Sequence, residues 1–150
     1  MKVGVATDHG GFALKEELLA KLQSAGHEIT NFGAHSLHPH DDYPDFRSPC
    51  AAFVTGDVER GVAICGLGVG ASVCVNKMIG IRAALIHDHV SARREWRTII
   101  GTFFAWAEGL LDPKWPEVAW DLVQAYLSAE YSEAEKHRGR LAEVAGLENK

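Results

Sequence analysis

Cys65 heads the run Cys65-Gly66-Leu67-Gly68-Val69-Gly70, in which glycine recurs at every second position. Alternating glycines let a backbone turn tightly and point several N–H groups at one spot, beside the positive end of the helix that follows. Such a nest holds a phosphate, or an oxyanion that develops during reaction. The bare pattern is weak evidence. It lacks the Gly-Lys-Ser/Thr of a Walker loop, and it follows the third β-rich run rather than the first, unlike a dinucleotide fingerprint. Cys65 itself has two readings. By residue type, a cysteine at a strand end is a small buried hydrophobe. By position, at a helix N-terminus among N–H dipoles, its thiolate is favoured and serves as a base or nucleophile. Cys50 and Cys74 lack that setting and read as packing residues.

Other reactive groups fall at similar places. Asp8-His9-Gly10-Gly11 closes the first β-rich run. Lys136, His137 and Arg140 lie on adjacent turns of a charged helical stretch, where they suit a phosphate. Their bland alternative is a solvated face balanced by Glu133, Glu135 and Glu143. His35, His38 and His40 with Asp41 and Asp42 are suitable metal ligands, but their spacing matches no defined site. That cluster reads as a surface loop leading to Tyr43. His87 either orients a substrate or supports Asp88 in a loop hydrogen bond. Asn76 caps or braces the helix after the glycine loop, and Trp115 and Trp120 pack the penultimate helix or form part of a dimer surface.

The elements that position these groups alternate. Lys2–Thr7 is a short β-rich run, followed by a helical pattern with Phe12, Leu14, Leu18, Leu19 and Leu22 on one side and Lys15, Glu16, Glu17 and Lys21 on the other. Gly26 closes that helix. Further strands are expected at 27–32, 61–65, 81–86 and 99–106, with helices ending at 54 and spanning 71–78, 91–97, 117–127 and 132–144. Residues 33–49 read as loop. Strands alternating with helices at short intervals argue for one five-stranded parallel sheet covered on both faces. In such α/β folds ligands bind at the carboxyl ends of strands, where Asp8-His9 and Cys65-Gly66 both stand.

Composition removes several functions. With 150 residues the chain has the size of one domain, 1–150, and no linker-like tract divides it. A net charge of -5 with interspersed basic residues gives no global attraction to nucleic acid or an anionic membrane, so any anion site is local. Charge arrives too early for a secretory signal, and no apolar run approaches the ~20 residues of a spanning helix. Three cysteines cannot all pair, and no Cys-x-x-Cys spacing appears. The expected compartment is reducing and cytoplasmic.

Taken together, the motifs resemble the type B ribose-5-phosphate isomerases and the lactose-pathway galactose-6-phosphate isomerases. The resemblance runs from Val3 to about Val144. It rests on Asp8-His9-x-Gly11 with Lys15-Glu16, Asp42-Tyr43-Pro44, and Cys65-Gly66-x-Gly68-Val69-Gly70. It continues through Asn76-Lys77-x-x-Gly80-Ile81-Arg82-Ala83-Ala84 and His87-Asp88-x-x-Ser91-Ala92-Arg93. It implies a Rossmann-like α/β/α sandwich that forms a homodimer or a dimer of dimers, with no metal or organic cofactor and a small phosphorylated sugar as substrate. The active site is then shared between subunits, and residues 131–150 are an arm reaching the partner. The cysteine matching Cys65 moves a proton between C1 and C2 of the open sugar. The amides of Gly66, Leu67, Gly68, Val69 and Gly70 hold the enediolate oxygen. Asp8 and Tyr43 match residues that touch the sugar. His9, with Lys136 and Arg140 of the partner, matches those that hold the phosphate.

The chain departs from that family's usual pattern in three places. Leu67 stands where a threonine is usual, Trp96-Arg97 where His-Asn is usual, and Phe103-Phe104-Ala105-Trp106-Ala107-Glu108 where a Gly-x-Arg is usual. A short insertion around 112–116 follows. In the family the threonine and histidine are implicated in opening a furanose ring, and leucine and tryptophan carry no proton for that step. Two expectations follow. The first is an isomerase for a sugar phosphate that is already linear, such as D-erythrulose 4-phosphate and D-erythrose 4-phosphate. Trp96 and Phe103-Phe104 would then shorten the pocket, and Arg97 would replace a lost phosphate arginine. Ribose 5-phosphate and ribulose 5-phosphate are otherwise the substrates. The second is a catalytically impaired sugar-phosphate-binding homologue, or one chain of a heteromeric isomerase.

Overall fold

The computed structural model describes residues 1–38, 47–99, 103–107 and 114–148. Five strands, β1 (Lys2–Thr7), β2 (Glu28–Asn31), β3 (Arg60–Cys65), β4 (Ala83–Leu85) and β5 (Phe103–Ala107), form one parallel sheet in the order β2-β1-β3-β5-β4. The helices are α1 (Phe12–Ser24), α2 (Arg47–Val54), α3 (Val69–Val75), α4 (His89–Arg94), α5 (Trp115–Leu127) and α6 (Glu135–Leu147). A π-helical turn, Glu95–Ile99, continues α4.

The central strands are apolar on both sides because helices cover both faces. Val3, Val5, Val62 and Ile64 meet Leu14, Leu18 and Leu22 of α1, Ala92 of α4, and Leu122, Val123 and Tyr126 of α5. Spaced four apart, the three leucines give α1 a single inward stripe. Each contributes roughly 1.5–3 kcal/mol by leaving water. On the other face Ala6, Ala63 and Cys65 meet Ala71 and Val75 of α3, with Phe32, Phe53 and Met78 packed alongside. The thiol therefore belongs to the smaller cluster.

Several sequence expectations need correction. Lys15, assigned to the polar side of α1, is fully buried. Its ammonium donates to the Ala34 carbonyl, pairs with Glu16 at 3.1 Å and lies 4.8 Å from the Phe12 ring centre. β4 has three residues rather than six, as suits an edge strand. β5 begins at Phe103, because the π-turn occupies the chain to Ile99. α2 begins at Arg47, inside the stretch read as loop.

The order of strands fixes where a site can form. From β1 the chain moves outward to β2, and from β3 it moves outward the other way. The crevice between β1 and β3 is therefore the topological switch point, the usual ligand position of an open parallel sheet.

Candidate active site

Asp8 and Cys65 meet at that crevice. Thr7 pairs with Ile64, so Asp8 and Cys65 follow as neighbours across strands ~4.8 Å apart. The Asp8 N–H donates to the Ile64 carbonyl at 3.3 Å. Both residues are less than a tenth exposed. The Asp8 carboxylate accepts the Gly10 N–H at 2.9 Å and caps the 3-10 turn His9–Gly11, which carries His9 at the exposed rim.

Sterics dictate the glycines. A Cβ at Gly10 would lie 2.7 Å from the Gly66 nitrogen and 2.8 Å from its Cα, so the two loops touch through backbone. A Cβ at Gly11 would lie 2.2 Å from Ile64 Cγ2. Gly68 adopts φ +70 as it starts α3, a conformation that favours glycine. Leu67 and Val69 project outward, Leu67 being 69% exposed, so the loop offers amides inward and an apolar rim outward.

The protonation of Cys65 differs from the sequence expectation of a favoured thiolate. Burial pushes the thiol up, and its hydrogen bond to the Asp8 carboxylate pushes it further. The amides of Leu67 and Gly68 pull it down without cancelling those effects. The thiol form, donating to the Asp8 carboxylate, is thereby favoured over the thiolate.

Backbone contacts seat the neighbouring loop. Thr7 donates to Gly33 at 2.8 Å and Ala34 donates to Thr7 at 2.9 Å, with Lys15 on the Ala34 carbonyl. Asn76 braces α3 against β4, bonding the carbonyls of Ser72 and Ala83 and the N–H of Ala83. Asp88 caps α4 through the Val90 and Ser91 amides and the Ser91 hydroxyl. Those bonds, led by Ser91, hold its carboxyl below the usual range, and His87 adds only its charge. Trp115 and Trp120 are half-buried and pack against the larger core, as packing residues. His38 bonds Ser36 at 2.9 Å, and among the described residues no three His, Cys, Asp or Glu side chains form a metal-sized group. His40, Asp41, Asp42, Tyr43 and residues 112–113 of the insertion lie outside the described residues, as do the side chains of Phe103 and Phe104.

Trp96 and Arg97 are not beside Cys65 of the same chain. The Trp96 ring stacks on the Arg60 guanidinium at 3.8 Å from its centre. Arg60 opens β3 and Cys65 ends it, so the two ends are about 16 Å apart. Within one chain Trp96 therefore lies at the opposite end of β3 from Cys65, stacked on Arg60. Arg97 accepts the Ser132 N–H on its carbonyl, and Ser132 Oγ bonds His137 Nδ1 at the start of α6. The charges of Lys136, Arg140 and Arg97, after a larger effect of desolvation, hold His137 below its usual range. Arg97, Lys136, His137 and Arg140 thus form one basic cluster, on a helix that buries none of its own residues.

Sequence reasoning missed Arg60, Glu95 and Tyr126. Arg60 donates to the Tyr126 and Ala129 carbonyls at the end of α5. Glu95 is 3% exposed and accepts the Ala84 N–H at 3.0 Å, covering the outer edge of β4. The available signal was a charged residue joined directly to a wholly apolar strand.

A thiol, a carboxylate and a glycine loop thus meet at the switch point of a parallel sheet in a Rossmann-like fold. Residues 3–144 match the family model described as Ribose/Galactose Isomerase. Ribose-5-phosphate isomerase B of Escherichia coli (strain K12) is 35% identical over 153 residues, spanning 99% of this chain and 97% of that one. D-erythrulose-4-phosphate isomerase of Pectobacterium atrosepticum is 30% identical over 132 residues, spanning 87% of this chain and 85% of that one. The structure of Clostridium thermocellum ribose-5-phosphate isomerase B superposes with a TM-score of 0.91 at 34% identity, covering 99% of this chain and 98% of the other. The chain belongs to the ribose/galactose isomerase family and is a sugar-phosphate isomerase.

Proposed function

We propose that the chain interconverts the aldose and ketose forms of a small sugar phosphate, with Cys65 as the base. The observation that carries this reading is the Cys65 thiol held between the Asp8 carboxylate and the amides of Leu67 and Gly68. Cys65 becomes a thiolate by passing its proton to Asp8. The thiolate takes a proton from the carbon next to the carbonyl, and the released electron pair moves onto the carbonyl oxygen. The loop amides of residues 66–70 stabilise the resulting enediolate, and the proton of the neighbouring hydroxyl passes to the former carbonyl oxygen. As the new carbonyl forms, the thiol gives its proton to the carbon that carried the old one, and the thiolate recovers its own from Asp8. Asp8 and Tyr43 hold sugar hydroxyls, and His9 lies toward the phosphate.

The substrate proposed first is a linear tetrose 4-phosphate, such as D-erythrulose 4-phosphate with D-erythrose 4-phosphate. Its O4 is esterified, so it forms no furanose and needs no ring opening. Leu67 carries no exchangeable proton, and the Pectobacterium relative is named for this sugar. Ribose 5-phosphate with ribulose 5-phosphate is the second choice.

The phosphate is held by Lys136 and Arg140 of a second copy, with Arg97 beside them. The support is spatial: these cations cluster at the sheet edge opposite their own Cys65, on a helix with no buried residue. A homodimer, or a dimer of dimers, completes the site. A cytoplasmic setting suits the free thiol of Cys65.

The test is a coupled assay of linear and cyclisable sugar phosphates with wild type and Cys65→Ser. Turnover of tetrose 4-phosphate that Cys65→Ser abolishes is expected. Strong preference for ribose 5-phosphate would overturn the linear substrate, and a fully active Cys65→Ser would overturn the base. A chain that turns over nothing when purified alone would instead be a binding homologue or one subunit of a heteromeric isomerase.

A further inference from the structure

We propose that the stack of buried Arg60 on the partly buried Trp96 is the mount that sets Arg97 and the first turns of α6 for the anionic end of the substrate. Arg60 and Trp96 are then positioning residues, not catalytic ones. This rests on the reading of the α6 cations as the anion grip of a second copy.

Three connections converge on Arg60. Its guanidinium is only 3.8 Å from the Trp96 ring centre and 5.5 Å from that of Tyr126, so it sits against two aromatic faces. Its N–H groups hold the Tyr126 and Ala129 carbonyls where α5 ends. Its backbone begins β3, which lies next to β1 in the middle of the sheet. The guanidinium therefore fastens both the π-turn and the end of α5 to a strand whose residues are all buried. A planar cation suits this double use, since it stacks on its face and donates from its rim.

The basic cluster grows from those two fastened points. Arg97 follows Trp96 directly, and its carbonyl accepts the Ser132 N–H. Ala129 precedes Ser132 by three residues, and Ser132 bonds His137 in α6. No residue of α6 is buried, so its own packing fixes its direction little. The stack and the Arg97–Ser132–His137 chain supply that direction instead. A cavity of about 290 Å³, lined in part by Arg93, Arg97, Ser128 and Ala129, opens beside the same segment. Three cations held ready, Arg97, Lys136 and Arg140, bind an anion better than three that must first be ordered.

The experiment compares Trp96→Leu and Trp96→Phe with wild type in steady-state kinetics on the preferred sugar phosphate. Trp96→Leu is expected to raise KM about tenfold while kcat stays within about twofold, the pattern of lost ground-state binding. Trp96→Phe, which restores an aromatic face, is expected to recover most of the loss. A fall in kcat with unchanged KM would overturn the proposal. So would a gain for longer sugars relative to tetroses, which would make Trp96 a pocket wall. If Trp96→Leu does not fold, Arg60→Lys is read instead. It keeps the cation and loses the plane, and an unchanged KM there overturns the mount. A wild type with no turnover would refute the isomerase reading alone. Calorimetry with inorganic phosphate then decides: binding lost in Trp96→Leu and regained in Trp96→Phe supports the mount, while equal or absent binding in all three overturns it.

Discussion

The Cys65 thiol donates its hydrogen to the Asp8 carboxylate across the ends of the first and third strands, and both groups are buried. Removing the Asp8 charge favours the thiolate. Iodoacetamide is therefore expected to label Cys65 slowly at pH 7 in the wild type, with the rate rising above the usual thiol range. Asp8→Asn shifts that rise to lower pH. Fragmentation of the labelled peptides by tandem mass spectrometry separates Cys65 from Cys50 and Cys74, and an unshifted profile in Asp8→Asn would show that the two groups are not coupled.

Gly10 touches Gly66 through backbone, and a methyl group there has nowhere to go. Gly10→Ala is expected to spread the two loops and lower kcat/KM by about 100-fold or more, since small misplacements of reacting groups are costly. Thermal melting should show only a modest loss. Retained activity would mean that the approach of the loops is unimportant to the reaction.

The separation of thiol and cations makes a complementation test decisive. Cys65→Ser and the double variant Lys136→Ala/Arg140→Ala should each be nearly inactive. Mixed and re-associated one to one, half the dimers hold one whole site, giving about a quarter of wild-type activity. Neither cation substitution should lower thermal stability much, because α6 buries no residue. No recovery on mixing would place both sets of residues in one chain's site.

Glu95 gives the fold a pH signature. Burial raises its carboxyl well above the usual range, and the Ala84 bond and the Arg60 charge offset this only in part. The folded chain therefore keeps a proton that the unfolded chain releases. Its stabilising contribution is complete below the unfolded carboxyl's pKa and is lost as pH rises toward the folded one. Urea midpoints at pH 5 and pH 7.5 should show wild type losing more stability with rising pH than Glu95→Gln, which keeps an acceptor for Ala84 but has no proton to lose. A pH-independent difference between the two would contradict this.

The reactive loops were legible because local chemistry specifies them. Apolar runs mark β1 and β3, and glycines mark the turns that bring Asp8 and Cys65 together. Lys15 was misplaced because helical periodicity cannot tell that a lysine's partner is a carbonyl nineteen residues away. The contact that Trp96 makes was hidden for a similar reason. Its neighbour Arg60 lies thirty-six residues earlier, and only the crossing of β5 between β3 and β4 closes that distance. The π-turn has no sequence signature of its own, so the start of β5 was read four residues early. The preference for a neutral thiol also depended on tertiary structure, because it needs both the burial and the carboxylate on the next strand.

Strand β3 acts as a ruler with a chemical end at Cys65 and an electrostatic end at Arg60. A single copy cannot fold the ruler back on itself. A two-fold pairing is the smallest arrangement that lays the electrostatic end of one copy against the chemical end of the other, and symmetry then makes two such clefts at once. Under the proposed subunit arrangement, dilution removes both together, and turnover per chain falls with protein concentration in parallel with dissociation.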